Sequence, residues 1–152
     1  YSKVAGLPGA RPEKIDLPMN LPQGIRIETS GAPADALSTN GTHEMPQLSG
    51  IYDLSKLEGK DQYAVYFGGN YGSLTITNPS AQTDRKLLLF KDSYANSMVP
   101  YLIGSYAQIT MIDLRYYNES VSALTEQGWD EILVCYEMSN FIKDKNLFKI
   151  LR

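Results

Sequence analysis

The stretch KLLLFKDSYANSMVPYL, Lys86 to Leu102, decides how this chain is read. Leu87 to Phe90 form an unbroken apolar run, as in a strand buried on both faces, and from Ser93 onward the pattern becomes helical. A strand that hands directly to a helix is the βα unit of a parallel sheet. Lys91, Asp92 and Ser93 occupy the junction. Asp and Ser are both preferred helix N-caps, so the pair reads first as a polar cap. It also reads as the working end of an enzyme, because a serine there presents its hydroxyl to solvent while helix-end N–H groups and the helix dipole favour a developing oxyanion. Pro100 removes a backbone bond inside the helical segment and predicts a kink or a restart.

Working outward, QITMIDL is the next strand, NESVSALTEQG (Asn118 to Gly128) a helix with Asn118 as N-cap and Gly128 as stop, EILVCYEM a further buried strand, and DKNLFKILR a terminal helix. On the other side, YDLSKLEGKD is a short helix or turn, QYAVYFGGN (Gln62 to Asn70) a buried strand running into a Gly-Gly-Asn turn, and SLTITN (Ser73 to Asn78) a half-exposed strand. This alternation predicts an α/β fold: a three-layer sandwich with a mostly parallel sheet over residues 60–152. Residues 1–59 read as an irregular arm and connecting segment that packs on the core, rich in Pro and Gly, with IRIET (Ile25 to Thr29) as its one strand.

The 152 residues, 43% of them hydrophobic, suffice for one packed core, and a net charge of -3 with scattered basic residues gives no footprint for nucleic acid. No apolar run approaches the roughly 20 residues of a membrane-crossing helix. The first residue is Tyr1, so the N-terminus is expected to lie upstream, and the lack of a leader says nothing about location. One cysteine, Cys135, reads as inert buried packing, and with one histidine, His43, there is no zinc ligand set. Calcium-loop spacing, phosphate-loop and dinucleotide glycine patterns, and a G-x-S-x-G elbow are all missing, so neither metal nor cofactor is expected.

Ligands of a parallel α/β sheet gather beyond the carboxyl ends of its strands. Three polar clusters fall there: Gly68 to Asn70, Lys91 to Ser97, and Asp113 to Asn118. Asn70 is either a side-chain amide donor or a residue of the Gly-Gly-Asn turn that Gly68 and Gly69 begin. Asn96 and Ser97 are site or packing residues. Arg115 anchors a carboxylate or forms a structural ion pair. Tyr94, Tyr116 and Tyr117 read as partly buried core or rim residues beside the strand ends. His43 is a catalytic base or a solvated loop residue. Asp92 as a phospho-acceptor lacks the accompanying acidic pair for magnesium.

Three blocks carry a family resemblance: IYDLSKLEGKDQYAVYFGGNYGSLTITN (51–78), RKLLLFKDSYANSMVPYLIGSYAQITMIDLRYY (85–117) and WDEILVCYEMSNFIKDKNLFKI (129–150), together with the arm YSKVAGLPGARPEKIDL. They resemble the C-terminal half of the bacterial DHHW proteins, which are similar to SGNH hydrolases and to the alginate O-acetyltransferases of exported-polysaccharide systems. The resemblance implies an SGNH-like fold, Ser93 as nucleophile with Asp92 before it, and an oxyanion held by N–H groups around Ser93 and by Gly69 or Asn70. It implies a carbohydrate esterase or O-acetyltransferase, outside the cytoplasm, acting on a cell-wall or exported polysaccharide alongside polysaccharide-assembly proteins, with Tyr94, Tyr116 and Tyr117 placed either to stack on its sugar rings or to fill the rim. The family's histidine and aspartate come from an Asp-x-His or Asp-His-His-Trp stretch ahead of the serine. These residues contain none, so that stretch is expected before Tyr1 and the chain by itself is expected to be inactive. The alternative is a non-catalytic member that binds glycan or a partner.

Overall fold

In the computed structural model, residues 17–30 and 50–151 are described. Among these residues the sheet has five strands in the order β1-β2-β4-β3-β5: β1 Arg26–Ser30, β2 Ser73–Thr77, β3 Lys86–Lys91, β4 Gln108–Ile112 and β5 Glu131–Cys135. β4, β3 and β5 are parallel neighbours, whereas β2 runs antiparallel to both β4 and β1. The mostly parallel sheet expected from the sequence is therefore a mixed one, with two of its four pairings antiparallel. Hydrophobic pattern cannot reveal this, because a strand buries the same side chains in either direction. Inversion of β2 has a positional consequence. Its first residue, Ser73, pairs with Ile112 at the carboxyl end of β4, so the loop leading into β2 lies at the same end as the loops leaving β3 and β4.

Leu87 to Phe90 are at most 1% exposed, as their unbroken apolar run requires. Leu87 and Leu89 join Leu74, Ile76, Ile109 and Met111 on one face, under Val99 and Ile103. Leu88 and Phe90 lie on the other with Ile112, under Val121 and Leu124. The sheet is covered on both faces, but by few and short helices: α1 Val99–Leu102, α2 Val121–Thr125 and α3 Met138–Lys143, with 3-10 turns between. A regular three-layer sandwich is not what flanks it. Pro100 falls in the first turn of α1, where its missing N–H is harmless, so the helical segment restarts there as expected.

Four local expectations are corrected. Gln62–Val65 is a 3-10 turn, and only an isolated bridge between Tyr52 and Tyr66 replaces the expected strand. The apolar run marked burial, which Ala64, Val65, Tyr66 and Phe67 have, rather than extension. Ser120, not Asn118, caps α2, its hydroxyl accepting from the Ala123 N–H. The terminal helix is the 3-10 segment Leu147–Leu151. β5 is an edge strand, with Ile132 53%, Leu133 40% and Val134 44% exposed, and Cys135 is half-buried rather than enclosed.

From the arm, β1 joins the sheet and Leu17, Leu21 and Ile25 pack on the core, while the Tyr52 hydroxyl donates to the Pro18 carbonyl at 2.8 Å. Gly72 is fixed by contact. A Cβ there would stand 2.6 Å from the Tyr116 carbonyl oxygen, a backbone atom that cannot move aside. Gly72→Ala is therefore expected to destabilise the fold by about 1–3 kcal/mol, whereas Gly104→Ala, with nothing within 4 Å of the added atom, should change stability by less than about 0.5 kcal/mol. Urea unfolding of the two variants checks the contrast.

Candidate functional site

β3 ends in Lys91, and the chain then passes through Asp92 into the 3-10 helix Ser93–Ser97. Asp92 is the cap. One carboxylate oxygen accepts from the Tyr94 N–H at 3.0 Å, and the other accepts from the Glu137 N–H at 3.0 Å and the Asn140 amide at 2.8 Å. At 1% exposure and with three donors on it, this carboxylate anchors the helix start and α3; a phospho-acceptor needs a reachable oxygen. Ser93 is thereby released from capping. It is half-buried in the first helical position. The far end of the turn is held by Tyr63, whose hydroxyl donates to the Tyr94 carbonyl at 2.7 Å and accepts from the Ser97 N–H at 3.2 Å.

Beneath the junction lies a charge cluster. Asp113, fully buried just past β4, accepts from Arg115 through both oxygens, from Nε at 2.8 Å and from Nη2 at 2.6 Å. Arg115 also lies over the Tyr116 ring at 5.1 Å. Of its two sequence readings, the structural ion pair is the one formed, and the bidentate bond holds its guanidinium well above its already high ordinary value. Lys91 reaches the same carboxylate more loosely, Nζ to Oδ2 3.8 Å, with its side chain 3% exposed. Burial lowers the Lys91 ammonium from 10.5 to about 8, with Asp113 opposing the shift.

The loop before β2 closes the site. Phe67, Gly68 and Gly69 all have positive φ, at 61, 72 and 146 degrees, a turn for which two glycines in succession are suited and which turns Asn70 toward β3. The Asn70 carbonyl oxygen accepts from Lys91 Nζ at 3.2 Å and from the Asn96 amide at 3.3 Å. Gly69, Asn70 and Asn96, with Tyr63, Tyr116 and Asp61, line a cavity of about 200 Å³. Asn96 is 2% exposed, and its own side-chain oxygen has no hydrogen-bond partner among the described residues.

Of the sequence candidates, then, Gly69, Asn70 and Asn96 meet at one cavity, and Ser93 begins the helix that supplies Asn96. Asp92 and Arg115 are engaged in structural bonds, and Tyr117 is core, while Tyr94 and Tyr116 are 47% and 39% exposed. His43 lies outside the described residues. Lys91 and Asp113 were missed as partners. The available signal was a lysine following directly on the apolar run Leu87 to Phe90, a buried position that calls for a counter-charge. Among the described residues no cluster of His, Cys, Asp and Glu is arranged to hold a metal, and no helix is long and apolar enough to cross a membrane.

Comparison with known proteins gives a family match: the model of the DHHW protein family matches residues 33–112, just over half of the chain. A crystal structure of a DHHW family protein from Eubacterium siraeum aligns over 84% of this chain and 39% of that one, at 24% identity and a TM-score of 0.60, and shares the fold. Two structures of PatB1 from Bacillus cereus, one carrying a sulfonyl adduct, align over 51% of this chain at 32% and 34% identity. They have TM-scores of 0.45 and 0.46 and are covered over 28% and 26% of their length. The chain thus spans well under half the length of these solved relatives. No curated protein matches it.

The charge cluster makes a stability prediction. Asp113→Asn strands a buried lysine and is expected to cost about 3 kcal/mol or more. Adding Lys91→Met should recover part of that loss, a coupling above about 1 kcal/mol in a denaturant-based double-mutant cycle. Additive losses would show that the two groups act independently.

Proposed function

The chain belongs to the DHHW protein family, and from that premise we propose that it forms part of an SGNH-like carbohydrate esterase or O-acetyltransferase with Ser93 as nucleophile. One observation carries the reading. Asp92 takes the capping role, and the helix it caps sets the spare hydroxyl of Ser93 ahead of Asn96, which lines a cavity with Gly69 and Asn70. In the proposed reaction a histidine removes the Ser93 proton as Oγ attacks the acyl carbonyl. The oxyanion is held by the Ser93 N–H and the Asn70 amide, and collapse expels the donor's alcohol. A sugar hydroxyl or water then takes the acyl group and restores Ser93. The base is proposed to come from the Asp-x-His stretch that the resemblance sets ahead of the serine, and the substrate is proposed to be a cell-wall or exported polysaccharide outside the cytoplasm.

A binding role without catalysis is favoured by a different observation: Tyr94 and Tyr116 expose broad ring surface beside the cavity, as sugar-stacking residues do. Acetyl-ester turnover by a chain that includes the Asp-x-His stretch separates the two. Ser93→Ala is expected to lower turnover by roughly a thousandfold or more and to shift stability by less than about 0.5 kcal/mol. Unchanged turnover in the variant would exclude the serine mechanism, and a wild type inert toward several acyl donors but retained by glycan would establish the binder.

A further inference from the structure

We propose that Lys91 is a positioning residue that fixes the orientation of the Asn70 amide, turning its N–H donors toward the cavity at which the acyl oxyanion is held. The inference rests on the acyl-transfer reading for its purpose but not for its geometry. Lys91 has two neighbours of suitable polarity, and the closer is not the carboxylate. Its ammonium stands 3.2 Å from the Asn70 carbonyl oxygen and 3.8 Å from Asp113. Asp113 is already bound through both oxygens by Arg115, so it does not need a second cation for its own satisfaction. A strand-end lysine 3% exposed is costly to keep charged, and a structural role alone is filled as well by an apolar side chain.

An ammonium only donates, so the amide atom facing it must be the oxygen. Asn96 adds a second donor to that oxygen at 3.3 Å. With both donors on Oδ1, Nδ2 is the part of the amide left for the cavity that Asn70 lines. The positive charge behind the carbonyl also polarises the amide and strengthens its N–H groups as donors, an effect enlarged where water is excluded. Asn96 is set by the same relay, because its amide nitrogen is drawn to Asn70 and its buried oxygen is left without a partner among the described residues.

The charged groups around the ammonium are Asp113 and Arg115 from the turn after β4 and Asp92 directly after its own strand, while Asn70, whose oxygen it meets, and Asn96, which donates to that same oxygen, are neutral. Lys91 is charged below about 8 and neutral above it. The amide is therefore locked at lower pH and loses its restraint as pH rises through that value.

Two measurements test this. In the chain as described, the Asn70 side-chain amide resonances are followed by NMR against pH. They are expected to shift with a midpoint near 8, and the shift is expected to vanish in Lys91→Met. Amide resonances that stay unmoved, or that move alike in Lys91→Met, would overturn the proposal whatever the fate of the enzymatic reading. In the acyl-transfer assay, Asn70→Asp preserves the contact with Lys91 but removes the donor. It should lower kcat by about a hundredfold with little change in KM, and Lys91→Met should lower kcat at least tenfold and abolish the alkaline fall in rate. A Lys91→Met protein that folds and keeps its full kcat overturns the proposal. Should that variant fail to fold, Asn70→Asp decides, since retained kcat there removes the donor from the mechanism. If Ser93→Ala proves as active as wild type while the amide titration is present, the serine reading fails and the Lys91 to Asn70 coupling stands.

Discussion

One buried carboxylate, Asp113, organises the end of the sheet that carries the candidate site. Its side chain holds Arg115 through two bonds and faces Lys91, its N–H donates to the Gly72 carbonyl at 3.1 Å, and its carbonyl accepts from the Tyr116 and Tyr117 N–H groups. The loop before β2, the end of β3 and the turn after β4 are all tied to this residue. An ion cluster so deep is weak evidence for stability, because desolvation offsets most of the attraction. Its value lies in geometry: each partner has one position in which its charge is satisfied.

The inverted strand β2 makes that convergence available. In an all-parallel sheet the segment before a strand enters at the amino end, away from the site. Antiparallel pairing with β4 instead delivers Gly68, Gly69 and Asn70 to the carboxyl ends of β3 and β4, where Asn70 meets Lys91 and Asn96. Gly72, pressed against the Tyr116 backbone, sets how closely the loop approaches. The opening question about Asp92 and Ser93 resolves by division of labour, with the carboxylate as cap and the hydroxyl left for chemistry in the proposed mechanism.

Much of the fold was legible in the sequence. β3 is unmistakable as an unbroken apolar run, β2 alternates over SLTIT, and Pro100 marks the helical restart it causes. Strand direction was not legible, nor was the edge position of β5, since EILVC has the apolar content of an interior strand although its side chains are exposed. Gln62–Val65 was misread because burial without a period fits turn and strand alike. Gly69 and Asn70 reach the cavity beside Asn96 by a route the sequence did not suggest, since the strand expected to end in them is a 3-10 turn and the antiparallel entry into β2 delivers them instead. Lys91 was overlooked because the meaning of a buried charge depends on Asp113, a residue just past a different strand that only the register brings alongside.

The central claim is that the hydroxyl at position 93, at the start of the 3-10 helix that carries the cavity-lining Asn96, is the proposed nucleophile. Its most direct test is peptide mapping by mass spectrometry after brief reaction of the Asp-x-His-containing chain with an activated acetyl ester. The account predicts one acetyl group, on Ser93, accumulating when the acceptor is withheld. Acetyl groups spread over surface lysines, with none on Ser93, would contradict it.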